Sequence, residues 1–339
     1  MWAITVKEFR QLFRDRRTVG MLVAIPFLLL VIFGHAASFD VTSVPTLVTG
    51  PRATQVAASL PAPFHVVDIQ PGGDRAVAQA WLRDGRSWAG VLTSAAGAPQ
   101  ILVDGSNLFA AQAVVSASRQ LGIPVQVLFN PALKTSVVMV PGLIGIVLVF
   151  VGTLATALGV VRERQAGTLE QLAVMPFRPR DIFLGKVAPY FLVSLVDTAI
   201  IVAAGLLVFD VPFRGSVLTF LLGTLLFLFV TLGLGVLVST VSQNQGQALQ
   251  LSVMTLLPQV LLSGLIFPVA SMAAGVRWIS YLLPLTYFIE VSRGVLIKAT
   301  PIGALVGPLL MLAVLGTVVF TLSVIRFRRD LAPARTSAR

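Results

Sequence analysis

Apolar runs of about 20 residues, the length a helix needs to cross a hydrocarbon layer of roughly 30 Å, recur along this chain and decide its class. Val19 to Phe39, Ser136 to Val161, Ile182 to Phe209, Gly215 to Thr240, Ala248 to Val269 and Ile302 to Ile325 each read as such a run. Pro26 interrupts the first, and Pro258 and Pro268 break the fifth. A membrane helix tolerates such breaks where neighbours re-satisfy the freed backbone groups. With 56% of 339 residues hydrophobic and only 12% charged, the apolar excess is too large for one globular core. The reading is an all-α polytopic membrane protein with six transmembrane helices.

The formal charge of +11 could suggest nucleic acid, but the basic residues flank the apolar runs and form no stripe with interleaved aromatics, so no nucleic-acid partner is expected. The absence of cysteine excludes disulfides and thiolate metal sites. His35 and His65 lie far apart in sequence with no convergent ligands, so no metal site is expected. About fourteen lysines and arginines fall in the N-terminal arm, the Arg162 to Arg180 loop and the C-terminal tail, against about four in the short loops opposite, which places both termini in the cytoplasm.

The segments divide as follows. Residues 1–17 form an interfacial amphipathic helix, with Trp2, Val6, Phe9 and Phe13 on one face and Lys7, Arg10, Arg14 and Arg17 on another. Residues 18–39 are the first span; Ala36-Ala37-Ser38 only faintly resembles a cleavage site. Residues 40–135 turn mixed and polar, and read as a small extracytoplasmic α/β domain between spans one and two. Its expected strands are Pro45 to Val48, His65 to Ile69, Trp88 to Thr93 and Ile101 to Asp104, with helices over Arg75 to Arg83 and Asn107 to Phe129. Residues 136–161 are the second span, and 162–181 a cytoplasmic amphipathic loop closed by Pro176 and Pro179. Residues 182–269 hold spans three to five. Residues 270–300, broken by Pro284 and rich in interfacial aromatics such as Trp278, Tyr281 and Tyr287, read as a re-entrant or interfacial hairpin before the last span. Residues 301–325 are that span, and 326–339 a basic cytoplasmic tail.

Sites of chemistry are scarce. The phosphate-cradling pattern G-x-x-x-x-G-K-[ST] is absent, because Gly185-Lys186 lacks the upstream glycine and the following hydroxyl. Within the spans only Lys186 and Asp197 carry a formal charge at neutral pH; eleven residues put them on one helical face but about 16 Å apart. Lys186 is close enough to the cytoplasmic end to snorkel. Asp197 is either polar glue to a neighbouring helix or a group facing a transport path. Ser263-Gly264 has no histidine in the later spans to serve as base, so no enzyme activity is expected. Gly152, Gly159, Gly233 and Gly235 read as close-packing positions.

The most informative segment runs from Val161 to Lys186, VRERQAGTLEQLAVMPFRPRDIFLGK. It closely resembles the segment after the second span of ABC transporter type-2 permeases, where an Arg-Glu-x-x-x-Gly-Thr-Leu-Glu-Gln-Leu run precedes a proline turn and a Gly-Lys entering the third span. The resemblance extends over the whole chain: Asp104-Gly105-Ser106-Asn107, the Pro268 break and Leu283-Pro284-Leu285-Thr286-Tyr287 sit where the multidrug-exporter-like branch has similar features. It implies a multi-pass protein of the bacterial cytoplasmic (inner) membrane, paired with a second permease copy or a paralogue and docked on cytoplasmic ATP-binding-cassette ATPase subunits. ATP and Mg would then be held by the partner subunit and no cofactor by this chain. Glu163, Arg164, Gly167, Thr168, Glu170 and Gln171 would form the coupling helix on the ATPase. Substrate contacts would come from spans one, two and five, among membrane lipids, and Glu290 and Arg293 would belong to the outer hairpin. Residues 40–135 are the surface open to a periplasmic or cell-wall partner.

Three functions fit these features. The first is ATP-coupled export of an amphipathic or lipid-like substrate. The second is a non-transporting scaffold or receptor. The third is an ion-coupled secondary carrier, for which Asp197 would be indispensable.

Overall fold

A computed structural model describes residues 20, 41, 43–95, 97–167, 179–266 and 268–331. The interfacial helix at 1–17, the first span apart from Gly20, the middle of the 162–181 loop and the tail beyond 331 lie outside the described residues.

The first described unit is a sheet domain: β1 (Val44–Thr49), α1 (Ala53–Ser59), β2 (Phe64–Gln70), α2 (Arg75–Arg83), β3 (Ala89–Leu92), β4 (Gln100–Asp104), α3 (Leu108–Leu121) and β5 (Val125–Leu128). The strands lie in the order β2-β1-β3-β4-β5, parallel except where β3 meets β4. Alternation along the strands sends Val48, Val91, Ile101 and Val103 to one face, where they meet Ala110, Ala111 and Val114 of α3. Leu47 and Leu102 go to the other face, against Ala78 and Leu82 of α2. Covering both faces explains why these strands read as nearly continuous apolar runs.

Two expectations for this domain need correction. The helix foreseen over Asn107 to Phe129 stops at Leu121, and the remainder supplies the edge strand β5. Gly122 turns left-handed (φ 65°) and Pro124 cannot continue a helix, so the chain leaves α3 and pairs with β4 instead. The short helix α1 was not foreseen; its seven residues bury only Ala53 and carry too little periodicity to announce themselves.

The second unit is a helix bundle: α4 (Thr135–Gln165), α5 (Pro179–Val208), α6 (Val217–Val241), α7 (Gln245–Leu262), a 3₁₀ turn (Val269–Ser271), α8 (Ala274–Ser280), α9 (Pro284–Arg293), a π-helical turn (Gly294–Lys298) and α10 (Ile302–Leu331). Among the described residues, four helices are long and apolar enough to cross a membrane: α4, α5 from Ala188, α6, and α10 to Arg326. The fifth run corresponds to α7, which has 18 residues, carries Gln245, Gln247, Gln250 and Gln259, and is not among the four. It ends at Leu262, seven residues before the expected Val269. Across 270–300 the chain breaks into α8 and α9, of seven and ten residues, each too short to span.

Aromatic stacking and glycine contacts hold the bundle together. Phe227 of α6 stacks on Phe288 of α9 with ring centroids 4.4 Å apart. A Cβ on Gly235 would lie 2.7 Å from the Thr153 carbonyl oxygen and 3.2 Å from that of Gly152, so α4 and α6 meet backbone to backbone. Gly233 faces Val319 and Phe320 of α10, and Gly159 faces Tyr190 of α5, so all four glycines do pack closely. Thr153 donates to the Thr231 carbonyl (3.2 Å) and Ser323 to the Gly233 carbonyl (2.8 Å), adding polar links between the same helices.

The outer surfaces differ. Only 17% of the apolar window of α5 is buried, against 61% for α4 and α6, and Leu192, Val193, Val196 and Ile200 stand exposed on it. On α10 a ridge of Ile302, Val306, Leu310, Val314, Val318 and Leu322 repeats every four residues. Apolar ridges of this kind suit hydrocarbon and would be costly in water.

Candidate functional site: the two polar ends of the bundle

At the end bearing the sheet, bundle residues and the sheet domain are tied by basic side chains. Asp104 closes β4 and is 2% exposed; its Oδ1 accepts from the Ser106 N–H at 2.8 Å, and Asn107 caps α3 by accepting from the Ala110 N–H. The π-helical turn brings Lys298 to this carboxylate, Nζ to Oδ2 3.1 Å, and Lys298 also donates to the Leu82 carbonyl at 3.2 Å. Thr300 donates to the Arg83 carbonyl at 2.8 Å. Arg214, in the α5–α6 loop, donates to the carbonyls of Phe129 (3.1 Å) and Ile297 (3.2 Å), bridging β5 to the π-helical turn. Arg277 of α8 folds back onto the carbonyls of Met272 and Ala270.

Arg293, at the end of α9, is the innermost of these cations. Its Nε donates to the Val138 carbonyl of α4, and its two Nη atoms to those of Gly264 and Leu265 just after α7, all at 3.2 Å. Burial lowers its pKa to about 10, with Asp104 pulling the other way, so the guanidinium stays charged at neutral pH. Glu290, one turn earlier, keeps part of its side chain exposed, yet burial raises its carboxyl pKa while Lys298 pulls the other way. The two outer-hairpin residues singled out in the sequence thus both belong to the charged cluster around Lys298 and Asp104.

The opposite end carries the segment that stood out in the sequence. The apolar run stops at Val161, yet α4 continues to Gln165, so Arg162, Glu163 and Arg164 form its last turn. Arg164 donates from Nη1 to the carbonyls of Ser239 and Ser242, both at 3.0 Å, and so ties the end of α4 to the end of α6. Gly167 is left-handed (φ 72°) with open space around it, a conformation that suits glycine and ends the helix. Glu163 is half-buried, while Thr168, Glu170 and Gln171 lie outside the described residues.

Between the two ends the bundle is mostly apolar. Asp197 is half-buried on α5 and makes no hydrogen bond or ion pair with another described residue. Ser252, Gln259 and Ser263 share one face of α7, and each keeps a buried oxygen without a hydrogen-bond partner among the described residues. Ser263 is 1% exposed, which removes it from contention as a nucleophile open to solvent.

The sequence that builds this sheet domain and bundle has relatives among known proteins. Residues 16–325 match the family described as ABC-2 family transporter protein. The chain belongs to the ABC-2 transporter family. Among curated relatives of this ABC-2 chain, the probable multidrug ABC transporter permease YbhS of Escherichia coli K12 is 27% identical over 92% of both chains. The probable multidrug ABC transporter permease YbhR of the same organism is 27% identical over 88% of this chain and 90% of its own. The E. coli inner membrane transport permease YhhJ is 29% identical over 68% of this ABC-2 chain and 63% of its own.

Sequence reasoning gave no role to Lys298 or Arg214. Nothing local marks either: both bind carbonyls brought to them by tertiary folding, and the Lys298–Asp104 pair spans 194 positions.

Proposed function

We propose that this chain is the membrane permease subunit of an ATP-binding-cassette exporter. It moves an amphipathic or lipid-like substrate (drug, lipid or glycolipid) out of the cytoplasm or inner leaflet, driven by ATP hydrolysed on a separate subunit. The observation that carries the reading is the family match over residues 16–325, joined by relatives named as multidrug permeases over about nine-tenths of their length. In this reading both termini face the cytoplasm, the sheet domain lies outside, and a second permease copy or paralogue completes the path. ATP and Mg stay with the ATPase subunits.

The geometry of α4 supports a mechanical route. Its 31 residues make a rod of about 46 Å, running from the sheet-domain junction to the charged turn at Arg162-Glu163-Arg164. A push on that turn reaches Val138, and through it Arg293, without an intervening loop. Because Arg164 holds the end of α6 as well, the two helices receive the push together.

The test is purification with the cognate ATPase, measuring which compounds stimulate ATP turnover. Glu163→Lys or Glu170→Lys is expected to abolish stimulated turnover and weaken co-purification. If no ATPase accompanies the chain, or both charge reversals are silent, the exporter reading fails and the scaffold reading takes its place. Half-buried Asp197 without a partner among the described residues favours the ion-coupled carrier as the second reading. That alternative requires Asp197→Asn to abolish transport, where the ATP-driven reading expects a mild loss.

A further inference from the structure

The charged end of α4 does not stand alone. Arg164 holds the carbonyls of Ser239 and Ser242, and Gln245, the first residue of α7, donates from Nε2 to Gln165 Oε1 at 3.0 Å. The α6–α7 turn therefore lies within one side chain's reach of the last turn of α4. That turn is fastened internally as well. Asn244 caps α7 by accepting from the Gln247 N–H at 2.8 Å, the Gln243 N–H donates to Gln247 Oε1 at 3.0 Å, and the Ser242 hydroxyl donates to the Val238 carbonyl at 2.7 Å. Gln243 and Gln245 are nevertheless exposed, as are Arg162 and Gln165 beside them. Size decides what a partner on this end of α4 must touch. A stable protein interface buries about 800 Å² on each side, a patch roughly 30 Å across, so a partner seated on Arg162 and Gln165 covers the turn too. A surface held rigid before binding also loses little ordering entropy when it is covered.

We propose that the α6–α7 turn, through Gln243 and Gln245, is a second docking point for the ATPase subunit, joined with the end of α4 in one polar platform. The proposal rests on the exporter reading and deepens it: the motor grips the ends of α4, α6 and α7 together, and α7 receives its movement directly. Residues 162–165 and 242–245 include no apolar side chain, so a hydrophobic partner helix does not fit there. Amides that both donate and accept, set beside the exposed Arg162, fit a partner face that presents backbone groups and carboxylates.

The experiment uses the full chain purified with its cognate ATPase. The photo-crosslinker p-benzoylphenylalanine is placed in turn at Arg162, at Gln243 and, as a control on the sheet-bearing end, at Leu282, which is 58% exposed. Ultraviolet light is expected to join permease to ATPase from Arg162 and from Gln243, and not from Leu282. Gln243→Glu leaves the hydrogen bonds of the turn in place, because Gln243 takes part in them through its backbone N–H alone. It should weaken ATPase binding about tenfold at low salt and less at high salt, whereas Gln243→Lys should hold binding within about twofold. Crosslinking from Arg162 without crosslinking from Gln243 overturns the proposal and leaves the exporter reading standing; so does wild-type affinity in Gln243→Glu. Equal losses in Gln243→Glu and Gln243→Lys overturn the carboxylate-bearing face assigned to the partner. If no ATPase accompanies the wild type, the exporter reading itself fails and this docking point with it.

Discussion

The two ends of the helix bundle use basic residues in opposite ways. At the sheet-bearing end, Arg214, Arg277, Arg293 and Lys298 all turn inward, each donating to backbone carbonyls, and only Lys298 meets a carboxylate at short range. At the other end Arg164 alone, among the described residues, makes such a tie, while its neighbour Arg162 stays exposed. The contrast teaches that charge counting along a membrane chain mixes two populations. Some cations are retained by the fold, and others remain free to meet something outside it. Under the exporter reading proposed above, movement would enter at the Arg164 end and be resisted at the sheet-bearing junction.

That contrast can be broken by removing ties. Lys298→Ala strands Asp104 as a buried, unpaired carboxylate, and a loss of about 3–5 kcal/mol is expected, read as a lower unfolding temperature and faster proteolysis of the sheet domain. Adding Asp104→Asn should recover more than half of it; no recovery would mean that the pair does not anchor the junction. Gly235→Leu lies between the ends, where backbone cannot yield to a new side chain. It should destabilise by about 3 kcal/mol, seen as poor yield and a broadened gel-filtration peak, without favouring either end.

Two smaller effects sharpen the comparison. Arg164→Met removes two charged hydrogen bonds for about 2 kcal/mol, and hydrogen exchange should rise around 160–167 and 238–243 while the sheet domain stays protected. Exchange rising equally in β1 and β4 would show that the ends are not independent. Asp197→Asn should shift stability by less than about 0.5 kcal/mol in a thermal scan, because no described partner loses a bond. A drop of several degrees would reveal a contact made through residues outside the described set.

What the sequence discloses follows the range of the forces involved. The long spans α4, α5, α6 and α10 were legible because hydropathy over 20 residues is a local property; β1, β3 and β4 were legible because a strand buried on both faces is itself apolar, and the edge strand β2 through its β-branched residues. β5 was missed although Gly122 and Pro124 mark the end of α3 in the sequence, because four residues are too few to show a strand pattern and only the pairing with β4 defines it. The end of α4 was misplaced because apolarity stops at Val161 whereas helical hydrogen bonding does not. Of the site residues, Glu163 and Arg164 were found through a resemblance rather than through spacing. Arg293 was named for its place in the hairpin, but its burial and its three carbonyls depend on α4 and the α7 turn arriving from elsewhere. Lys298 and Arg214 share that non-local origin and left no trace.

The π-helical turn at Gly294–Lys298 has a consequence for how this protein can change over time. A π turn holds one more residue than the α-helical turn it replaces, and here the surplus sets the angle at which Lys298 arrives at Asp104. Deleting any one residue between 294 and 298 would swing everything downstream by about 100°, carrying Lys298 away from its carboxylate and the α10 ridge away from its present heading. In this five-residue stretch length is as constrained as identity.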